Sequence, residues 1–179
     1  MRYTQHLLGS LLTVLCFSAF AGETTPVELT DGQVGQVMLT VADGALAIGE
    51  LPVERGDNVE VKAFAVKMVA GVTEWKTELT TLLTTLQISP EDSDLNKMVS
   101  DEMAKARAGL VDLRGAEFDI AFMDHEIACS NKLLGLLYHQ LLQTTERPEL
   151  RDFVLQSISK VSMTLIEAEK VRRGLGTMN

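Results

Sequence analysis

Cysteine, histidine and positive charge are scarce in this chain, and each shortage removes a class of function. Of two cysteines, Cys16 lies in an apolar leader and only Cys129 remains beyond it. No internal disulfide can then form, so packing alone must hold the core. The three histidines are His6, His125 and His139, and the two beyond the leader are few for a histidine-rich metal site. Lysine and arginine number 16 against 25 acids, for a formal charge of −9. A surface of that sign repels phosphate backbones, and the one basic cluster, Lys170, Arg172 and Arg173, sits where a helix C-terminus commonly holds cations. Nucleic acid is thereby excluded as a partner. The chain also has no Gly-x-Gly-x-x-Gly, no phosphate loop and no readable Ser/His/Asp set. No catalytic residue and no cofactor-binding residue is assigned.

What is present begins with an export signal. Arg2 supplies the positive start, Leu7 to Phe20 the apolar run, and Ala19-Phe20-Ala21 a small-x-small cleavage site. The run is too short for a stable membrane span, and Glu23 to Pro26 turn polar at once, so residues 1–21 read as a cleaved signal peptide. The leader carries Arg2 and no acid, so cleavage takes the charge from −9 to −10. Lipidation at Cys16 is disfavoured by the bulky Leu15 before it. The expected product is exported, periplasmic or outer-membrane associated, with no transmembrane segment. Its about 155 residues suffice for one domain with a sizeable core.

Residues 22–30 read as a flexible lead and 31–176 as one helical domain. Thr30 or Asp31 can cap a first helix whose apolar residues, Val34, Met38, Val41, Ala45 and Ile48, recur at steps of three and four until Pro52 kinks or ends it. Gly56-Asp57-Asn58 breaks and caps the chain. Val61, Phe64, Met68, Val72, Trp75, Leu79, Leu82 and Leu86 then make the strongest helical stripe. Ser89-Pro90-Glu91-Asp92 predicts a restart with a cap serine and a first-turn proline, and a less apolar helix follows over 92–113. Gly115 opens a helix to about Thr144, and Pro148 starts the last, which Gly174 and Gly176 end. No segment alternates with period two. The chain is therefore predicted all-α, an antiparallel four-helix bundle with an additional crossover helix and ferritin-like connectivity.

Three groups invite a chemical reading. His125-Glu126-Ile127-Ala128-Cys129 is similar to the zinc-binding HExxH helix with cysteine for the second histidine, since residues four apart share a face. No third ligand is evident at the usual spacing. The expectation is that His125 and Glu126 face solvent and Cys129 packs as a small apolar residue. Di-iron bundles use inward glutamates and Glu-x-x-His pairs, but no Glu-x-x-His occurs, and Glu50, Glu54, Glu74, Glu78, Glu117, Glu126, Glu167 and Glu169 flank the apolar stripes. Met38, Met68, Met98, Met103, Met123 and Met163 are dispersed singly, as core fillers are, without the M-x-x-M clusters a copper site would show.

Val61 to Val69, Phe118-Asp119-Ile120-Ala121-Phe122-Met123-Asp124 and the closing helix through Leu165-Ile166-Glu167-Ala168, in that order, resemble the domain of unknown function 4142 family. Its members are exported ferritin-like bundles often labelled outer membrane proteins. The resemblance spans most of residues 32–172. It implies histidines a few residues after the Met-Val pair, twelve residues after the Phe of Phe-Asp and before the closing Leu-x-x-Ala, with a first-helix glutamate. Val72, Ser130, Thr164 and Ala47 (or Ala45) stand at those positions here. If the family positions bind metal, this chain has lost the ligands together. The resulting expectation is a non-enzymatic binding or structural protein of the cell envelope with a degenerate metal centre and no cofactor. Its partner would be an unidentified envelope protein or a second copy of itself. The rival is a metal-storage or oxidoreductase bundle holding iron, manganese or zinc through its acids and His125 or His139. A stress-responsive envelope interaction protein is a third reading.

Overall fold

In a computed structural model, residues 27–176 are described. The segment expected to be a signal peptide, its expected cleavage site and Cys16 lie outside the described residues. Every regular element among them is helical: α1 (Asp31–Gly49), α2 (Leu51–Arg55), α3 (Val59–Thr85), α4 (Asp94–Leu110), α5 (Gly115–Leu136), α6 (Leu142–Thr144) and α7 (Pro148–Leu175). A π-turn, Leu137–Leu141, joins α5 to α6, so that helical run extends to Thr144 as the spacing predicts. The chain is all-α. α1 packs against α3 and α4, α3 also packs on α7, and α5 lies along α7.

Local chemistry sets the boundaries. The Thr30 hydroxyl accepts from the Gln33 N–H at 3.2 Å and the Gln33 amide accepts from the Thr30 N–H at 3.1 Å, a reciprocal capping box for α1. Asp31 is thereby free to cap elsewhere, and its carboxylate accepts from the N–H groups of Glu146 and Arg147 at 2.9 and 3.1 Å, before α7. α1 ends at Gly49, and Pro52 falls in the first turn of α2, where its missing N–H costs nothing. The predicted restart at Ser89 is corrected: α4 begins at Asp94 under Ser93, whose hydroxyl accepts from the Asn96 N–H at 3.0 Å. The segment from Ser89 to Asp92 instead turns across α1. The Glu91 N–H donates to the Gly32 carbonyl at 3.0 Å, and a Cβ on Gly32 would lie 2.5 Å from the Ser89 carbonyl oxygen. That tertiary bond outcompetes a proline-started helix. Of the residues read as a lead, 27–30 are tied down: the Val27 N–H donates to the Gln140 side chain at 3.1 Å, Gln140 donates back to the Val27 carbonyl, and Leu29 is buried.

The core divides in two. One cluster joins Val34, Val37, Leu79, Leu83, Leu137, Leu141, Leu150 and Val154, and the other Ile48, Val61, Phe64, Leu110, Phe118, Phe122 and Met123. Phe118 stacks on Phe122 at 5.8 Å, and Phe64 meets Phe122 edge-on at 6.3 Å. Asp31–Arg55 has the length and mean hydropathy, 1.3, of a membrane-spanning helix, but half of that window is buried within the bundle. Val34, Val37, Met38, Val41 and Ala42 spend their apolar surface on neighbouring helices, as a core helix does.

Candidate functional site

A cavity of about 380 Å³ lies inside the bundle, bordered by members of both core clusters. α1 contributes Met38, Val41, Ala42 and Ala45, α3 the run from Phe64 to Trp75, α5 Glu126, Cys129, Ser130 and Leu133, and α7 the run from Ser157 to Glu167. The lining residues that reach solvent, Lys67, Gly71, Glu74, Lys160 and Met163, belong to α3 and α7. The mouth therefore opens between those helices. Two ion pairs cross it, Lys67 to Glu167 at 2.5 Å and Lys160 to Glu78 at 2.7 Å. A Cβ on Gly71 would meet nothing within 4 Å. At the end away from Glu126, the Trp75 indole N–H donates to the Ser157 hydroxyl at 2.8 Å, and that hydroxyl donates to the Phe153 carbonyl at 2.8 Å.

Val72, Ser130 and Thr164 all line this one cavity. Ala47 does not. It borders a separate surface depression of about 320 Å³ with Thr40, Asp43, Gly44, Ser100 and Arg107. Ala45, two residues earlier, is the first-helix residue that reaches the inner cavity. Two positions along a helix rotate a side chain by roughly 200°, so the choice between them puts the residue on opposite faces.

The placement of Glu126 overturns the expectation that it faces solvent, because it is 7% exposed and lines the cavity. It stands on one stripe with Ser130, Leu133 and Leu137 at steps of four, three and four. Among the described residues its carboxyl makes no hydrogen bond or ion pair, and burial pushes its pKa up to about 8. Ser130, also buried, likewise has a hydroxyl without a hydrogen-bond partner among the described residues. His125 is half-buried, and burial, with the Lys132 charge second, pulls its imidazole down to about 4. The expectation that it faces solvent is corrected to that extent. His139 is exposed, beside Tyr138, and takes no part in the cavity. Among the other acids weighed, Glu74 and Glu167 also line the mouth, whereas Glu50, Glu54 and Glu117 are exposed on the outside.

Cys129 lines the cavity, and burial first, then the Glu126 carboxylate, push its thiol up to about 12 from 9.0. Three pH units lower the thiolate fraction at neutral pH by roughly a thousandfold. Maleimide labelling of the folded protein at pH 7 is expected to be slower than in denaturant by that order. Labelling at equal rates in both states would show that the thiol is exposed and reactive.

The donor set does not fit a metal ion. No group of three or more His, Cys, Asp or Glu side chains that could hold one occurs among the described residues. His125 and Cys129 do not assemble with Glu126 into such a group, although they neighbour it on α5.

Phe118 and Asp119, the pair most specific to the family resemblance, serve the fold. Phe118 is fully buried. Asp119 accepts from the N–H groups of Asp57 and Asn58 at 3.1 and 2.8 Å, holding the turn before α3, whose N-cap is Asn58. Sequence reasoning weighed Glu126 as one more solvated acid. The signal that could have found it is its i, i+4 relation to Ser130, already placed on the inward stripe.

A family model, Domain of unknown function (DUF4142), matches residues 18–171. No curated protein and no solved structure was found to match the chain.

Proposed function

From the premise that this chain belongs to the DUF4142 family, we propose that it is an exported, non-enzymatic bundle of ferritin-like arrangement, a binding protein of the cell envelope in which a ligand cavity stands in place of a metal centre. One observation carries this: Val72, Ser130 and Thr164, where the family resemblance implies histidines, line a single, largely apolar cavity. A methyl-bearing side chain and two hydroxyls offer no strong ligand for a divalent ion. The same replacements leave a volume within the usual range of small-molecule sites, about 300–1,000 Å³. Export is supported by the leader from Arg2 to Ala21. The four long helices α1, α3, α5 and α7, with α4 as the additional one, are compatible with ferritin-like connectivity.

Elemental analysis of protein purified without chelators tests the lost centre. Metal far below one ion per chain is expected, with an unchanged melting temperature after treatment with a chelator. Stoichiometric iron, manganese or zinc would overturn the reading. The mass of the protein recovered from the cell envelope checks export, with Gly22 as the expected first residue.

A further inference from the structure

We propose that the cavity takes a single-chain cationic amphiphile, a linear primary alkylamine, with its ammonium group on Glu126 and Ser130 and its tail lying toward Trp75 and Leu137. This deepens the proposed binding role and depends on it. Two buried polar side chains one helical turn apart, the Glu126 carboxyl and the Ser130 hydroxyl, line the cavity with no hydrogen-bond partner among the described residues. Among the described residues, the buried side-chain atoms left without a partner are Arg55 Nε and Asp119 Oδ1, so the Glu126 and Ser130 oxygens are instead open to the cavity. A few convergent polar groups on an otherwise apolar wall are what orients a ligand that supplies donors. A primary ammonium group brings three N–H donors and the positive counter-charge that an ionised Glu126 would otherwise have no partner for.

The rest of the cavity selects the tail and the sign of the head. Its lining runs on α3 from Phe64 to Trp75, about 16 Å along the helix axis. A chain of about ten carbons, advancing about 1.25 Å per bond, fits that length. Four thioethers, those of Met38, Met68, Met103 and Met163, border the space and can adjust to a flexible chain. Lys67 and Lys160 are already paired with Glu167 and Glu78, so neither is a spare cation for an anionic head. Glu74, also at the mouth, has no ion-pair partner among the described residues. With a chain charge of −9, the long-range field also favours cations.

The proton balance is specific. Burial keeps the Glu126 carboxyl protonated in the empty cavity near neutral pH. As the ammonium group docks, that carboxyl releases its proton to the buffer while the amine keeps its own. Calorimetric titration of the folded chain with decylamine, decanol and decanoate, each in two buffers of different ionisation enthalpy, measures this. Decylamine is expected to bind one to one at pH 7 with release of about one proton, and decanoate to bind at least about tenfold more weakly. Glu126→Gln is expected to abolish the proton release and to weaken decylamine about tenfold, while decanol changes by less than about threefold. Decanoate binding as tightly as decylamine, or proton release that survives in Glu126→Gln, would overturn the head-group assignment and leave the binding cavity standing. Failure of all three compounds to bind a chain that is folded by circular dichroism would sink the binding role as well.

Discussion

Replacing Asp119 with alanine is expected to destabilise the protein by about 3 kcal/mol, with the helical content of the folded state unchanged. Asp119 is 2% exposed, and one carboxylate oxygen accepts both the Asp57 and the Asn58 N–H. Hydrogen bonds to a charged group contribute about 1.5–3 kcal/mol each, and truncation takes the shared acceptor from two backbone donors in a part-buried turn. The loss is large beside a typical domain stability of about 5–15 kcal/mol. The second oxygen is buried without a hydrogen-bond partner, and a Cβ on Gly56 would approach it to 2.5 Å. Asp119→Asn keeps one acceptor for the two N–H groups but loses the charge that strengthens those bonds, and it is expected to fall between wild type and alanine. Denaturant unfolding checks both variants: the midpoint should drop while the slope stays constant. A loss under about 1 kcal/mol for alanine would mean that the turn before α3 is held by something other than Asp119.

Stability is expected to fall by about 2 kcal/mol between pH 6.5 and 8, and Glu126→Gln should remove that fall. Glu126 has a folded pKa of about 8 against 4.5 for the free group, so between those values the folded state holds a proton that the unfolded state has released. Stability conferred by that proton is full below 4.5 and is lost as the pH rises through 8. His125 works in the other direction, with a folded pKa of about 4 against 6.5. Its contribution is present above 6.5 and is lost as the pH falls through 4. The two slopes oppose each other from 4.5 to 6.5, which leaves the upper window to Glu126. Charged neighbours at the cavity are Lys67, Glu74, Lys160 and Glu167 from α3 and α7, with Lys132 acting on His125 and Cys129 from α5 itself. Above pH 9 the raised Cys129 thiol continues the decline. Superimposable pH profiles for wild type and Glu126→Gln would show that the carboxyl titrates as a solvated one. An alkylamine bound at Glu126 should flatten the wild-type fall, because it stabilises the ionised carboxylate.

Much of the fold was legible because helix signals are local. Asn58, Gly115 and Pro148 act through atoms within a turn of themselves, and each stands at the helix start that the sequence predicts. Gly115 has φ of +58°, a conformation that favours glycine. Ser89 misled because it has a valid local cap pattern, and the bond from Glu91 to Gly32 that displaces it joins residues far apart in sequence. The cavity was only partly legible. Periodicity put Val72, Ser130 and Thr164 on or beside inward stripes but could not separate Ala45 from Ala47, and it left Glu126 among the solvated acids.

The sequence by itself determined an all-helical chain with a single cysteine after residue 16, an acidic composition and membership of a recognisable family. Those properties follow from composition, from caps and from spacing within single helices. Only the tertiary structure decided that the core divides around a cavity, that its mouth lies between α3 and α7, and that Glu126 is an interior acid. A helical repeat places a residue on a face; whether that face meets a neighbour, solvent or a void depends on how several distant helices approach one another.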